Sequence, residues 1–228
     1  SEAARPIIMR EGRYTHEHSI MTVPLRTIMK AGDPPIKPLP EAESGPPEPV
    51  VYFAYGSNML TARLRERMPS CKPLGIAKLP GHALRFHKRS KDQSGKCNAF
   101  ATDDDQGVMG VLFAFDPAER PTLDKAEGVG NGYEHATLTV INDQGRRQKV
   151  LTYLASPNAI DDSLAPYTWY KDFVLAGCAE HGLPADYVAV YVQSVEATED
   201  LNRARDAKER AKLVAAVPSK PEPQDLPT

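Results

Sequence analysis

Residues 50 to 64 read VVYFAYGSNMLTARL, with Pro49 just before them. The β-branched and aromatic run from Val50 to Tyr55 suits a buried strand. It breaks at Gly56-Ser57-Asn58, and then Leu60, Leu64 and Met68 fall on one stripe of an expected short helix over about 58 to 67. Gly56 has no Cβ to hold a ligand away from the main chain, and Ser57 or Asn58 is a favoured N-cap for that helix. A helix start leaves backbone N–H groups free and its dipole favours negative charge, so this turn can receive an oxyanion or a carboxylate through main chain alone. The same residues also suit a plain capped strand-to-helix turn, and the turn by itself does not choose between the two. A serine nucleophile is disfavoured: the nucleophile elbow needs glycine two positions either side of the serine, where this chain has Tyr55 and Met59.

Outward from this stretch, bulk properties exclude several classes. The chain has 228 residues, 41% hydrophobic and 25% charged, the balance of a globular protein with a sizeable core. A formal charge of -2 gives no electrostatic case for nucleic acid or an anionic membrane as partner. The one basic run, His87-Lys88-Arg89-Ser90-Lys91, lacks interleaved aromatics and reads as a solvated turn. Cys71, Cys97 and Cys178 are odd in number and far apart, unlike a zinc site or a disulfide framework, so a reducing cytosolic compartment is expected with each thiol as a small core side chain. No stretch reaches about 18 consecutive apolar residues and no signal-peptide core is present, so no membrane association is expected. The chain opens on Ser1 in place of Met, which leaves its native start open.

Prolines divide the chain. Of 21, 9 lie in residues 1 to 49 and 4 in residues 218 to 228, leaving 8 for the 168 residues between. Residues 1 to 49 are therefore expected to be a disordered or draped arm, 50 to 217 a single domain, and 218 to 228 a tail. His16-Glu17-His18 in the arm has no third ligand near it and reads as solvated, not as a metal site. Inside the domain, strands are expected near 71 to 79, 82 to 88, 97 to 102 and 107 to 115. Asp116-Pro117 opens a helix that closes at Gly128. YEHATLTVIN and RRQKVLTYLA flank Asp143-Gln144-Gly145 as a hairpin. Helices follow at about 166 to 181, 184 to 194 and 199 to 217, the last with Thr198 as N-cap. Consecutive strands with few intervening helices argue for an α+β fold on a mostly antiparallel sheet or small barrel.

The second stretch with chemistry in it is LDKAEGVGNGY, residues 123 to 133. Glu127 falls in the last turn of its helix, where the macrodipole is negative and disfavours a charged carboxylate, a setting that suits general acid-base work near neutral pH. An exposed glutamate tolerating a small penalty fits the position equally well. Gly128, Gly130 and Gly132 do not form a dinucleotide fingerprint, because no strand precedes them and no helix follows.

Taken together, YFAYGSN, LDKAEGV and the later YKDFVLAGCAEHGLP at 170 to 184, in this order and spacing, resemble the γ-glutamylcyclotransferase family over about residues 50 to 195. The resemblance implies a small, mostly antiparallel β-barrel flanked by helices. It implies that the segment Tyr52, Phe53, Ala54, Tyr55, Gly56 and Ser57 binds substrate, with Asn58 beside it; that Glu127 is the acid-base residue; and that Tyr170, with Tyr133, closes on the ligand. The loop between Glu127 and Tyr133 is a residue shorter than in animal members. Tyr170 also suits half-buried packing beside Trp169 and Phe173.

The implied reaction converts a small-molecule γ-glutamyl substrate to 5-oxoproline. The substrate carries its own nucleophile, so neither metal nor cofactor is expected. The nearest alternative within enzymes is a γ-glutamylamine cyclotransferase. From another class, a small-ligand binding module on the same scaffold is possible, against which stands Glu127, since a binder of an anion gains nothing from a carboxylate there. A homodimer stays open, the charged helix after 199 packing most simply on its own domain.

Overall fold

The computed structural model describes residues 47 to 216. The readings of a disordered or draped arm, of His16-Glu17-His18 and of the proline-rich tail fall outside the described residues. Among the described residues seven strands form: β1 (Val50–Ala54), β2 (Lys72–Pro80), β3 (His82–Arg89), β4 (Gly95–Ala101), β5 (Gly107–Phe115), β6 (Tyr133–Asn142) and β7 (Arg147–Ala155). Five of them close a barrel in the order β1-β5-β2-β6-β7, and β3 and β4 pair as a separate two-stranded sheet. The barrel pairings are antiparallel except where Tyr52 of β1 meets Leu151 of β7 in parallel. Closure satisfies the edge N–H and C=O groups that an open sheet of this size would leave unpaired. The expected α+β barrel is therefore present. Its core holds Phe53, Phe113, Phe115, Leu123 and Phe173, all essentially without exposure.

The first stretch folds differently from expectation. After β1 comes a single 3-10 turn, Ser57–Met59, closed by the Met59 N–H to the Gly56 carbonyl at 2.9 Å. Leu60 is extended, and helix α1 occupies only Thr61–Arg65. Neither Ser57 nor Asn58 caps it with a side chain. The cap comes from elsewhere: the Glu180 carboxylate accepts the Thr61 N–H at 2.9 Å. The apolar stripe of Leu60, Leu64 and Met68 is nevertheless buried as expected.

Helix α2 (Arg120–Glu127) follows a 3-10 turn at Pro117–Glu119, where the Asp116 carboxylate accepts the Ala118 N–H at 2.9 Å. Gly128 ends it with φ 72°, the left-handed cap the sequence calls for. Helix α3 spans Thr168–Glu180 and helix α4 Ala185–Val188, which runs on as a π turn over Ala189–Gln193. Helix α5 spans Arg203–Ala216, and the N-cap role expected of Thr198 falls to Asn202, whose side-chain oxygen accepts the Arg205 N–H at 3.0 Å. Thr198 instead exchanges main-chain bonds with Pro166 and Thr168. Only the end of the basic run is a solvated turn: Lys91 is exposed in the turn after β3, whereas His87 and Lys88 lie in β3, 5% and 7% exposed. All three cysteines are buried and unbonded, and no helix among the described residues is long and apolar enough to cross a membrane.

Candidate active site

At one end of the barrel β1 delivers the 56 to 59 turn against α3. The fit is close: a Cβ on Gly177 of α3 would come within 2.6 Å of the Met59 Cβ. Gly56 is as confined, since a Cβ there would sit 3.1 Å from the Cys97 Cβ and 3.2 Å from the Tyr170 hydroxyl. Here the missing side chain brings main chain, β4 and α3 to one point. That point opens on a small cavity, about 40 Å³ to a water-sized sphere.

From the first stretch, Tyr52, Tyr55, Gly56, Ser57 and Asn58 line the cavity; from the second, Glu127 and Tyr133; from α3, Tyr170. Phe53 and Ala54 do not line it. Both are fully buried in the barrel packing: alternation turns Phe53 to the face opposite Tyr52, while Ala54, on the Tyr52 face, carries only a methyl, and Tyr55 lies past the end of the strand. Cys97 and Tyr153 line the cavity without having been singled out from the sequence.

Each polar group is held. Asn58 is a bridge, not a cap: its amide nitrogen donates to Glu127 at 2.6 Å and to the Tyr52 hydroxyl at 3.2 Å, and its amide oxygen accepts from Arg67. The Arg67 guanidinium itself stands 3.5 Å from the Glu127 carboxylate, whose side chain is 15% exposed. The helix end is thus only part of the setting of Glu127. Tyr55 donates to the Tyr153 carbonyl, Tyr133 to the Cys97 carbonyl, and Tyr153 to Asp124 at 2.6 Å. The Tyr170 hydroxyl accepts the Cys97 N–H at 3.1 Å. Tyr52 and Tyr170 act as acceptors in these bonds, which leaves their own protons to turn into the cavity.

Burial pushes the hydroxyls of Tyr52, Tyr55, Tyr133, Tyr153 and Tyr170 well above the ordinary tyrosine range, so all five are neutral donors at physiological pH. Burial likewise pushes the Cys97 thiol up to about 12, which makes it unreactive lining. What the cavity offers is neutral dipoles and one carboxylate: it can hold a polar substrate in a fixed pose and move a proton.

Outside it lies a vestibule that shares Ser57, Glu127, Tyr133 and Tyr170 and is walled by Arg63, Arg67, Lys88, Lys96 and Arg205. Sequence reading met Lys88 only within the basic run taken for a solvated turn, and it passed over the other cations and Tyr153. Arg67 stands in a context that looks like ordinary surface, and Tyr153 is one aromatic in a β-strand; no local signal sets these two apart.

Comparison with known proteins follows the same lines. The AIG2-like family pattern matches residues 107 to 190. Over 146 residues, 61% of this chain and 76% of the relative, the chain is 32% identical to the γ-glutamylcyclotransferase of Bos taurus, and equally so to that of Homo sapiens. A solved structure of a γ-glutamyl cyclotransferase superposes with a TM-score of 0.64 at 25% identity, over 72% of this chain and 99% of that one. An uncharacterized protein from Homo sapiens superposes with a TM-score of 0.63 at 27% identity and the same coverage.

Proposed function

The chain belongs to the γ-glutamylcyclotransferase family, and from that premise we propose that it converts γ-glutamyl amino acids or peptides to 5-oxoproline with Glu127 as the acid-base residue. In this reaction the substrate's α-amine bonds to its own γ-carbonyl carbon, and the bond from that carbon to the nitrogen of the second residue breaks. No water is consumed. Holding the glutamyl chain folded exploits the large effective molarity of intramolecular attack, up to about 10⁵ M and beyond. Glu127 takes the proton of the α-ammonium, whose neutral form alone is nucleophilic, and returns it to the departing nitrogen. The Gly56 and Ser57 N–H groups, which precede the first bond of the 3-10 turn, and the free protons of Tyr52 and Tyr170 face the oxyanion that develops at the γ-carbonyl.

The observation that carries this reading is that the Glu127 carboxylate and the Gly56 turn, 71 positions apart, open on one cavity. A second support is that Asn58 ties Glu127 to that turn by a 2.6 Å hydrogen bond. A cytosolic setting is part of the proposal and is supported by three buried, unbonded cysteines. The test is release of 5-oxoproline by the full chain from γ-glutamyl dipeptides, glutathione and γ-glutamyl amines. Release from dipeptides or glutathione is expected. Silence on the whole panel refutes the enzyme, and release from amines alone replaces this substrate class with the other.

A further inference from the structure

The vestibule wall has an uneven charge balance. Four of its five cations have a carboxylate: Arg63 pairs with Glu209 at 3.3 Å, Arg67 with Glu127 at 3.5 Å, Lys96 with Asp92 at 2.9 Å, and Arg205 with Asp200 at 2.6 Å. Among the described residues, Lys88 has no carboxylate within 4.0 Å and no hydrogen-bond partner. It is nonetheless 93% buried by its 7% exposure, its ammonium 4.4 Å from the centre of the Tyr133 ring and opening on the vestibule. Its directly opposed residue across the β3 and β4 pair is Lys96, another cation. Like charges placed opposite each other destabilise a sheet, and an ammonium left with only a ring face and the solvent of the vestibule as partners adds to that cost. A fold keeps such a residue against that cost when a ligand supplies the missing charge.

Building on the γ-glutamyl reading above, we propose that Lys88 is a specificity-determining residue that binds the carboxylate of the leaving amino acid. The glutamyl unit occupies the inner cavity, where the donors are neutral and no cation lines the wall. Glu127 belongs to both recesses, so the departing nitrogen it protonates lies at their boundary and the second residue extends into the vestibule. The carboxylate of an α-amino acid is one carbon beyond that nitrogen. It therefore arrives where the unmatched ammonium stands, and its single negative charge completes the balance of the wall.

The experiment compares kcat/KM for γ-glutamyl-alanine and γ-glutamyl-alaninamide, which differ only in the charge of the leaving residue. Wild type is expected to prefer the acid by about 10- to 100-fold, the usual worth of a charge-assisted hydrogen bond. Lys88→Met keeps the aliphatic stem and should collapse that ratio toward one through the KM of the acid, whereas Lys88→Arg should restore most of it. A ratio that Lys88→Met leaves unchanged overturns the proposal. If both substrates then fall together, Lys88 holds the glutamyl α-carboxylate or only supports the fold; if neither falls, it touches no substrate. A wild type that does not discriminate also overturns it. Absence of turnover with either substrate and with glutathione is a different failure, that of the γ-glutamyl reading itself.

Discussion

The inner cavity presents five tyrosine hydroxyls and a main-chain turn, all neutral, whereas the vestibule beside it is walled by arginines and lysines. Glu127 stands where the two meet. Oriented neutral dipoles suit charge that develops during a reaction, because they are already aimed and need no rearrangement when it appears. Full charges suit charge that a ligand brings with it. Under the proposed reaction the contrast divides the labour: the inner recess shapes the reacting unit, and the outer one reads what is attached to it.

The harshest trial of this division is at the boundary. Glu127→Gln keeps the Asn58 contact but removes the base, so 5-oxoproline release should fall by about 10²- to 10⁴-fold with the thermal transition nearly unchanged. Wild-type turnover by the purified variant would remove Glu127 from the reaction. Next comes the inner wall itself. In Gly56→Ala the added methyl must push aside Cys97 or the Tyr170 hydroxyl, a shift of a few tenths of an ångström in the reacting pose, and kcat/KM should drop by about 10²-fold or somewhat less. An unimpaired variant would mean that the substrate reacts elsewhere.

Tyr170→Phe sharpens the roles within the inner cavity. It removes one donor to the oxyanion and strands the Cys97 N–H, so activity should fall about tenfold and stability by about 1 to 3 kcal/mol, read by steady-state kinetics and urea unfolding. A larger kinetic loss than in Glu127→Gln would reverse the ranking of the two groups.

The smallest effect on turnover belongs to the far side of the vestibule. There the Arg205 guanidinium, with the Trp169 indole N–H and the Asn202 main chain, holds the Asp200 carboxyl down at about 2. A carboxyl lowered on folding stabilises the native state above its unfolded value of about 3.9 and loses that contribution as pH falls through its folded value. Asp200→Asn should lower the melting temperature at neutral pH by roughly 3 to 10 °C. The gap from wild type should close as pH is taken from about 4 down to about 2. A gap that stayed constant over that interval would show that the ion pair is not its source.

Much of this architecture is legible along the chain because its signals are local. Alternation and turn residues mark β2 to β7, Asp116-Pro117 and Gly128 bracket the helix that ends on Glu127, and Asp143-Gln144-Gly145 marks the hairpin. Local signals mislead where a distant group does a local job. Ser57 and Asn58 look like caps, yet Glu180 from another helix caps α1, and Asn58 turns to Glu127 instead. Thr198 looks like the start of a helix, but pairing with Pro166 and Thr168 draws it into a different role. Phe53 and Ala54 share a motif with cavity residues, yet alternation packs Phe53 away from the Tyr52 face and Ala54 is buried with only a methyl.

The sequence by itself determined the α+β class, the helix that brings Glu127 to its end, and the two stretches that meet in the cavity, since each rests on the chemistry of neighbouring residues. Only the tertiary structure decided what surrounds the carboxylate and which side chains line the cavity. Burial keeps five tyrosines neutral, closure of the barrel sets Tyr153 beside Tyr52, and pairing of β3 with β4 sets Lys88 opposite Lys96 at the vestibule. Desolvation and charge balance are properties of a volume, to which residues far apart in the chain contribute together, and no window along the chain contains them.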